Sequence, residues 1–419
     1  MWDKIPFRKE ESMSKMINKK SLLLGFVAVF SIVCLIGIRP SIGAEELRIG
    51  ALLPLTGPIA AAGGKVKMTY EFAAKEINEA GGIKSLGGMK VKFIYGDTQS
   101  KPEVAISETN RLIEQENVSV ITEAWQSFVT LAATQAAERL KTSYMIPVSY
   151  ADAITARGFK YTFQLEPKAS VVARDWVKFL GYFKQVTGKK VEKVGLLYES
   201  TDMGQSNAAA AKKFLQEAGY ALTGDISFVN ATPDLSATVA KMKAFNPDFV
   251  LEAAYISDAI NLSKTSNRLA MFVPFISNGS CVDPNYLQNL GPLAEGMFDI
   301  SMWSSDLPGG EELNKRYKAF TGFDLTGLQA LIYQAALVIK EAAEMSGSTD
   351  KEKIRDALVT LHIKPGPKLV LPYEGVKFDG TGYNSLSRFI VAQVQNQKWV
   401  TVFPGEIAPV KPWINPKWK

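Results

Sequence analysis

From Leu47 onward, short β-branched apolar runs alternate with stretches of helical period, and the whole pattern restarts once near the middle of the chain. Runs at 47–55, 91–95, 118–122 and 144–148 read as buried strands, because each is short, apolar on both faces and bounded by polar or glycine-containing turns. Between the first two, Val66, Tyr70, Ala73 and Ile77 share one helical face before Gly81-Gly82 stops the helix. Stretches 102–116 and 129–140 carry the same period. Strand, helix and strand in that order make a βαβ unit, which predicts a parallel sheet with helices on both faces. After a polar loop at 166–170 come strands at 194–198, 222–228, 249–254 and 271–276, with helices at 205–218, 235–245 and 258–269. Helical patterns at 311–320 and 328–345 then precede a Pro/Gly-rich stretch and two final strands, 388–395 and 399–403. The fold expected is α/β, with two doubly wound parallel-sheet lobes that the late helices and late strands rejoin separately. A chain of 419 residues, 47% hydrophobic, can fill two such cores.

The N-terminus reads as an export signal. Lys15, Lys19 and Lys20 precede an apolar run at 22–38, and Ser41, Gly43 and Ala44 follow just ahead of Glu45-Glu46. Met13 and Met16 are both workable starts. The rival is a retained membrane anchor, since the run approaches the roughly 20 residues that span a bilayer. Cys34 follows Ser31-Ile32-Val33, without the small residue that lipid attachment wants directly ahead of the cysteine. Beyond the leader only Cys281 remains, so an internal disulfide is impossible there, and export without disulfides fits a large periplasmic core.

Several function classes are disfavoured by composition. The net charge is +6, of which the first 44 residues hold +4, leaving +2 on the rest with no basic stripe; nucleic acid is therefore not an expected partner. His362 is the only histidine and lies far along the sequence from the strand-to-helix turns. No His-x-x-x-His or Cys-x-x-Cys pair occurs, nor a phosphate-cradling or dinucleotide-binding glycine loop. The expectation is a protein with no catalytic residues, no metal and no cofactor, although paired-carboxylate chemistry needs none of these motifs. In parallel α/β sheets ligands bind beyond the carboxyl ends of the strands. The turns to inspect are 54–57, 97–100, 123–128, 149–152, 199–204, 254–258 and 277–281.

Three segments in order carry a resemblance. Ile49-Gly50-Ala51-Leu52-Leu53-Pro54-Leu55-Thr56-Gly57-Pro58, then Ala74-Lys75-Glu76-Ile77-Asn78-Glu79-Ala80-Gly81-Gly82-Ile83, then Thr155-Ala156-Arg157-Gly158 together resemble the leucine/isoleucine/valine-binding proteins. The resemblance implies a type I periplasmic binding fold, with two lobes joined by a three-crossing hinge. The implied division is 1–44 signal peptide, 45–165 and 299–370 in lobe 1, and 166–298 and 371–419 in lobe 2. It also implies an inner-membrane ABC permease as partner and a small ligand, a branched-chain amino acid or a related carboxylate or amide.

In that family the ligand carboxylate sits at a helix N-terminus, where unpaired N–H donors and the helix dipole favour an anion. Trp125, Gln126 and Ser127 match that turn; the alternatives are that Ser127 only caps its helix and that Trp125 only shields the crossover. Ser149 and Tyr150 match the next ligand turn. Met203 and Tyr255 match positions that the second lobe closes onto the ligand, with a plain core or surface tyrosine as the other reading of Tyr255. Ala62 stands where the family places an aromatic, which leaves room for a larger ligand. The family's ammonium-binding glutamate falls near Asn278-Gly279-Ser280, where no acid stands. A buried ammonium needs a counter-charge or several acceptors. Either Glu252, Asp258 or Asp283 substitutes, or the ligand is an aromatic acid or other molecule lacking the α-ammonium. A ligand-sensing receptor module is the further alternative, disfavoured because no output domain follows the second lobe.

Overall fold

The computed structural model describes residues 46–418 apart from Pro58 and Asp283. The leader read in residues 1–44 lies outside the described residues. Among the described residues no helix is long and apolar enough to cross a membrane.

The first sheet is built from β1 (Glu46–Leu53), β2 (Lys90–Asp97), β3 (Val120–Glu123), β4 (Ser143–Ile146) and β5 (Thr162–Gln164). Its order is β2-β1-β3-β4-β5, all parallel. Helices α1 (Ala60–Glu79), α2 (Pro102–Glu114) and α3 (Ser127–Arg139) make the crossovers. Val66, Tyr70, Ala73 and Ile77 are all buried on α1, as their spacing requires.

The second sheet begins after α4 (Ala169–Thr187), which adds a helix to those assigned from the sequence. Its chain order is β6 (Lys193–Glu199), α5 (Asp202–Glu217), β7 (Ala221–Phe228), α6 (Ser236–Ala244), β8 (Phe249–Ala253), α7 (Ile256–Arg268), β9 (Phe275–Ser277), α8 (Pro284–Leu290) and β10 (Phe298–Ser301). Strand β9 is shorter than the apolar run 271–276 suggests, because Pro274 has no N–H to give the ladder. The chain continues through α9 (Gly310–Thr321), α10 (Gly327–Ser346), α11 (Lys351–Thr360), β11 (His362–Ile363), β12 (Val376–Lys377), β13 (Ile390–Gln395) and β14 (Lys398–Phe403). His362 is exposed on β11. The second sheet runs β14-β13-β10-β9-β8-β6-β7; β13 pairs antiparallel with β10 and β14 antiparallel with β13, so β13 alone opposes the direction of the other strands.

The chain passes between the sheets three times. After β5 it enters α4, whose Trp176 indole donates to the Ser277 carbonyl at 3.0 Å. After β10 it returns to α1, where Tyr317 meets Thr69 at 2.9 Å and Arg316 pairs with Glu76 at 3.1 Å. Gly382 and Asn384 then bond Gln164 beside β5 before Phe389 N–H reaches Asp175 on α4 at 3.1 Å. In both sheets strand order reverses at one point, between β1 and β3 and between β6 and β8. Ligand crevices open at such reversals, beyond the carboxyl ends of the strands.

An aromatic cluster fills the second lobe around Phe298, whose ring lies 4.9 Å from Phe179, 5.6 Å from Phe183, 5.9 Å from Phe249 and 5.8 Å from Trp418. Phe298→Ala is expected to cost about 3–5 kcal/mol by lost burial and the cavity left behind. Urea unfolding of the full chain checks this.

Candidate functional site

The turn between β3 and α3 is conformationally costly. Glu123, Ala124 and Trp125 have φ of 80°, 109° and 66°, three successive non-glycine residues in a region that disfavours a Cβ by about 1–2 kcal/mol each. Bonds on every side hold it. Ala124 N–H donates to the Leu52 carbonyl at 3.2 Å and Tyr144 OH to the Glu123 carbonyl at 2.9 Å. Tyr70 OH reaches the Glu123 carboxyl at 3.2 Å, and Ser149 Oγ donates to the Trp125 carbonyl at 2.9 Å.

This turn delivers the start of α3. Gln126 is its N-cap in extended conformation, no side chain caps it, and its first turn holds no acid. The first N–H groups of a helix have no intrahelical partner, so an anion is favoured here. Gln126 Oε1 is buried without a hydrogen-bond partner. Trp125, Gln126 and Ser127 are half-buried at this site, and Phe128 is exposed.

At the switch point of the second lobe each helix start has an acid close by. Glu199 accepts from Thr201 N–H at 2.7 Å, Thr201 Oγ at 2.6 Å and Gly204 N–H at 2.9 Å, closing the N-terminus of α5. A side chain at Gly204 would run into the Glu199 carbonyl, so this tight approach requires glycine. Helix α7 carries Asp258 in its first turn. Of the three helices that follow β3, β6 and β8, α3 alone has, among the described residues, neither an acid in its first turn nor a carboxylate bonded to its start.

Ser149 lies beside this opening. It is buried, with φ 146°, and its polar atoms are engaged within the protein. Its N–H donates to Glu166 at 2.5 Å, its carbonyl accepts from Gln164 at 2.8 Å, and its hydroxyl lies 2.7 Å from Thr130 Oγ1 on α3. Tyr150 reaches across to the second lobe. Asn278 Nδ2 lies 3.4 Å from its hydroxyl and 3.0 Å from Met203 Sδ, while Asn278 Oδ1 accepts from Ala254 N–H at 3.3 Å. Tyr255, the N-cap of α7, is 46% exposed and close enough for its charge state to bear on Tyr150. The structure thus brings Tyr150 and Met203 together through Asn278, and Trp125, Gln126, Ser127 and Ser149 together around α3.

The acids weighed as substitutes for the missing glutamate lie elsewhere. Glu252 is fully buried within β8 with neither oxygen bonded, and burial first, then Asp299 and Asp258, push its pKa well up. Its electrostatic neighbours include Cys281 and Tyr286. Asp258 accepts from Asn230 Nδ2 at 3.0 Å and Ala231 N–H at 3.1 Å. Asp283 lies outside the described residues. Below the Asn278-Gly279-Ser280 turn, Asp299 accepts from the N–H groups of Gly279, Cys281 and Val282 at 2.7–2.9 Å. Burial nonetheless pushes its pKa up to about 7.

Two residues were not anticipated from the sequence. Asn278 appeared only as a place lacking an acid, and Glu166 only as part of a loop. The stretch 161–165 before Glu166 alternates apolar and polar residues over only five positions, too few to mark Glu166 as the residue that follows a strand. Removing the cap of α5 by Glu199→Ala is expected to lower unfolding free energy by roughly 1–3 kcal/mol, since it orphans buried donors; thermal and urea unfolding measure it.

A family model described as periplasmic binding protein matches residues 46–398. Leu/Ile/Val-binding protein homolog 7 of Brucella abortus (strain 2308) is 30% identical over 379 residues, spanning 87% of this chain and 93% of its own. Among solved structures, a leucine binding protein of Thermotoga maritima superposes with a TM-score of 0.71 at 22% identity, covering 85% of this chain and 97% of that one. A solute binding protein of an ABC transporter from Rhodopseudomonas palustris BisB5, in complex with 3,4-dihydroxy benzoic acid, gives 0.70 at 19% identity over 89% and 99% of the two chains. At these identities the structural likeness is one of fold, α/β with two lobes and three crossings.

Proposed function

The chain belongs to the periplasmic binding protein family, and on that premise we propose that it is an extracytoplasmic solute-binding protein of an ABC importer, closing on a small amino-acid-like carboxylate. The observation that carries this reading is the open N-terminus of α3, held at a topological switch point by a strained turn. Strain of this kind persists where surrounding structure over-determines it, and it clusters at binding sites.

The ligand carboxylate docks on the first N–H groups of α3, the Ser127 hydroxyl and the Gln126 side chain. Ser149 fixes the turn from behind, and Trp125 and Tyr150 wall the ligand. Rotation about the three crossings then brings Met203 and Tyr255 over it, as in hinge closure generally. An inner-membrane permease reads the closed form. Residues 1–44 direct export and are removed. The role is binding without catalysis, in keeping with relatives named as binding proteins.

The Brucella relative's name points to branched-chain amino acids as first candidates. A second reading, an aromatic carboxylate, draws on the half-buried Trp125 and Tyr150 and the more exposed Phe128 and Tyr255 near the opening.

Calorimetric titration of ligand-stripped protein with leucine, isoleucine and valine, then with aromatic carboxylates, tests the reading. Saturable binding from one of these sets is expected; no heat from either contradicts it. Ser127→Ala is expected to weaken the bound carboxylate by roughly 1–3 kcal/mol through loss of a charge-assisted hydrogen bond. Unchanged affinity removes Ser127 from the site.

A further inference from the structure

The first crossing between the lobes carries an acid that forms no ion pair among the described residues. Glu166 follows β5, is 1% exposed, and accepts the Ser149 N–H. Burial pushes its pKa up to about 8, with the Ser149 N–H pulling the other way. The titratable groups that face it are Glu123 at the end of β3, Tyr150 after β4 and Tyr373 between β11 and β12. A carboxyl and two phenols are neutral or negative at any pH, so none of them offers a positive charge.

A buried carboxylate without a counter-charge is costly to ionise, and a cation placed beside it removes that cost. Three other acids around the cleft are bonded elsewhere. Glu199 closes α5, Asp299 fills the turn below Asn278, and Asp258 holds Asn230 and Ala231. Glu166 accepts the N–H of Ser149, and Ser149 is bonded to Trp125 and Thr130 at the start of α3. The α-carboxylate and α-ammonium of an amino acid are separated by a single carbon, which suits an anion site at α3 and an acid bonded to the adjoining turn.

We propose that Glu166 recognises the ligand's ammonium group and that the ligand is therefore an α-amino acid. This rests on the solute-binding reading above and narrows its ligand class. Glu166 replaces, from the hinge side of the first lobe, the acid that the second lobe lacks at Asn278-Gly279-Ser280.

The test is calorimetry on the protein produced from the full chain, titrated with leucine, the other proteinogenic amino acids and 4-methylpentanoate, which is leucine without its amino group. Glu166→Gln keeps an oxygen for the Ser149 N–H. The expected result is at least tenfold weaker amino-acid binding in this variant, with 4-methylpentanoate affinity unchanged. In the wild type, binding at pH 7 should release a proton, read from the dependence of the heat on buffer ionisation enthalpy. Because the free protein holds that proton below pH 8, affinity should rise with pH, about tenfold between pH 6 and pH 7, and level off above 8. This proton count needs no variant. Amino-acid binding that is unchanged in Glu166→Gln and takes up or releases no proton overturns the role of Glu166 and leaves the solute-binding reading intact. Wild-type binding of ammonium-free acids alone also overturns it, again leaving that reading. Silence toward amino acids and ammonium-free carboxylates alike overturns both.

Discussion

The site depends on how the chain holds three positive-φ residues, Glu123, Ala124 and Trp125, between β3 and α3. None is glycine, so the conformation persists because carbonyls and side chains from β1, α1, β4 and the turn after it grip the segment. That grip sets the direction from which α3 starts and leaves its first N–H groups without a protein partner. The same physics makes an anion welcome there and makes the second lobe's α5, closed by Glu199, a poor competitor for it.

The two sheets share one logic with different endings. Each reverses its strand order once, and each places its key turns at the carboxyl edge beside that reversal. The first sheet is wholly parallel, whereas the second takes two antiparallel strands from the end of the chain. Those late strands cover its edge and tie the last crossing to α4 through Asp175 and Phe389. Asn278 spans the cleft, reaching both Tyr150 and Met203, so movement of one lobe is felt directly at the turn after β4 in the other.

Much of the fold was legible because period and burial coincide. The α1 face of Val66, Tyr70, Ala73 and Ile77 and the fully buried strands β3, β4 and β8 follow from hydrophobic spacing alone. Three- and four-residue strands such as β5 and β10 carry too little period to stand out. The turns of the candidate site were legible in the sequence; the bonding partners of their side chains were not. Ser149 was expected as a ligand contact, yet its N–H, carbonyl and hydroxyl all bond within the protein, a consequence of neighbours from β5, α3 and the first crossing that no local pattern reveals. Glu166 and Asp299 show the same limit: each is an acid whose role is set by a turn that folds over it from another part of the chain.

The central claim is that a carboxylate at α3 closes the second lobe over it. The most direct test is the distance between spin labels at Lys101→Cys and Val229→Cys, two exposed positions at the carboxyl edges of the first and second sheets. The account predicts a distribution that shifts and narrows when a saturating ligand identified by titration is added. A distribution that stays the same under saturating ligand would contradict it.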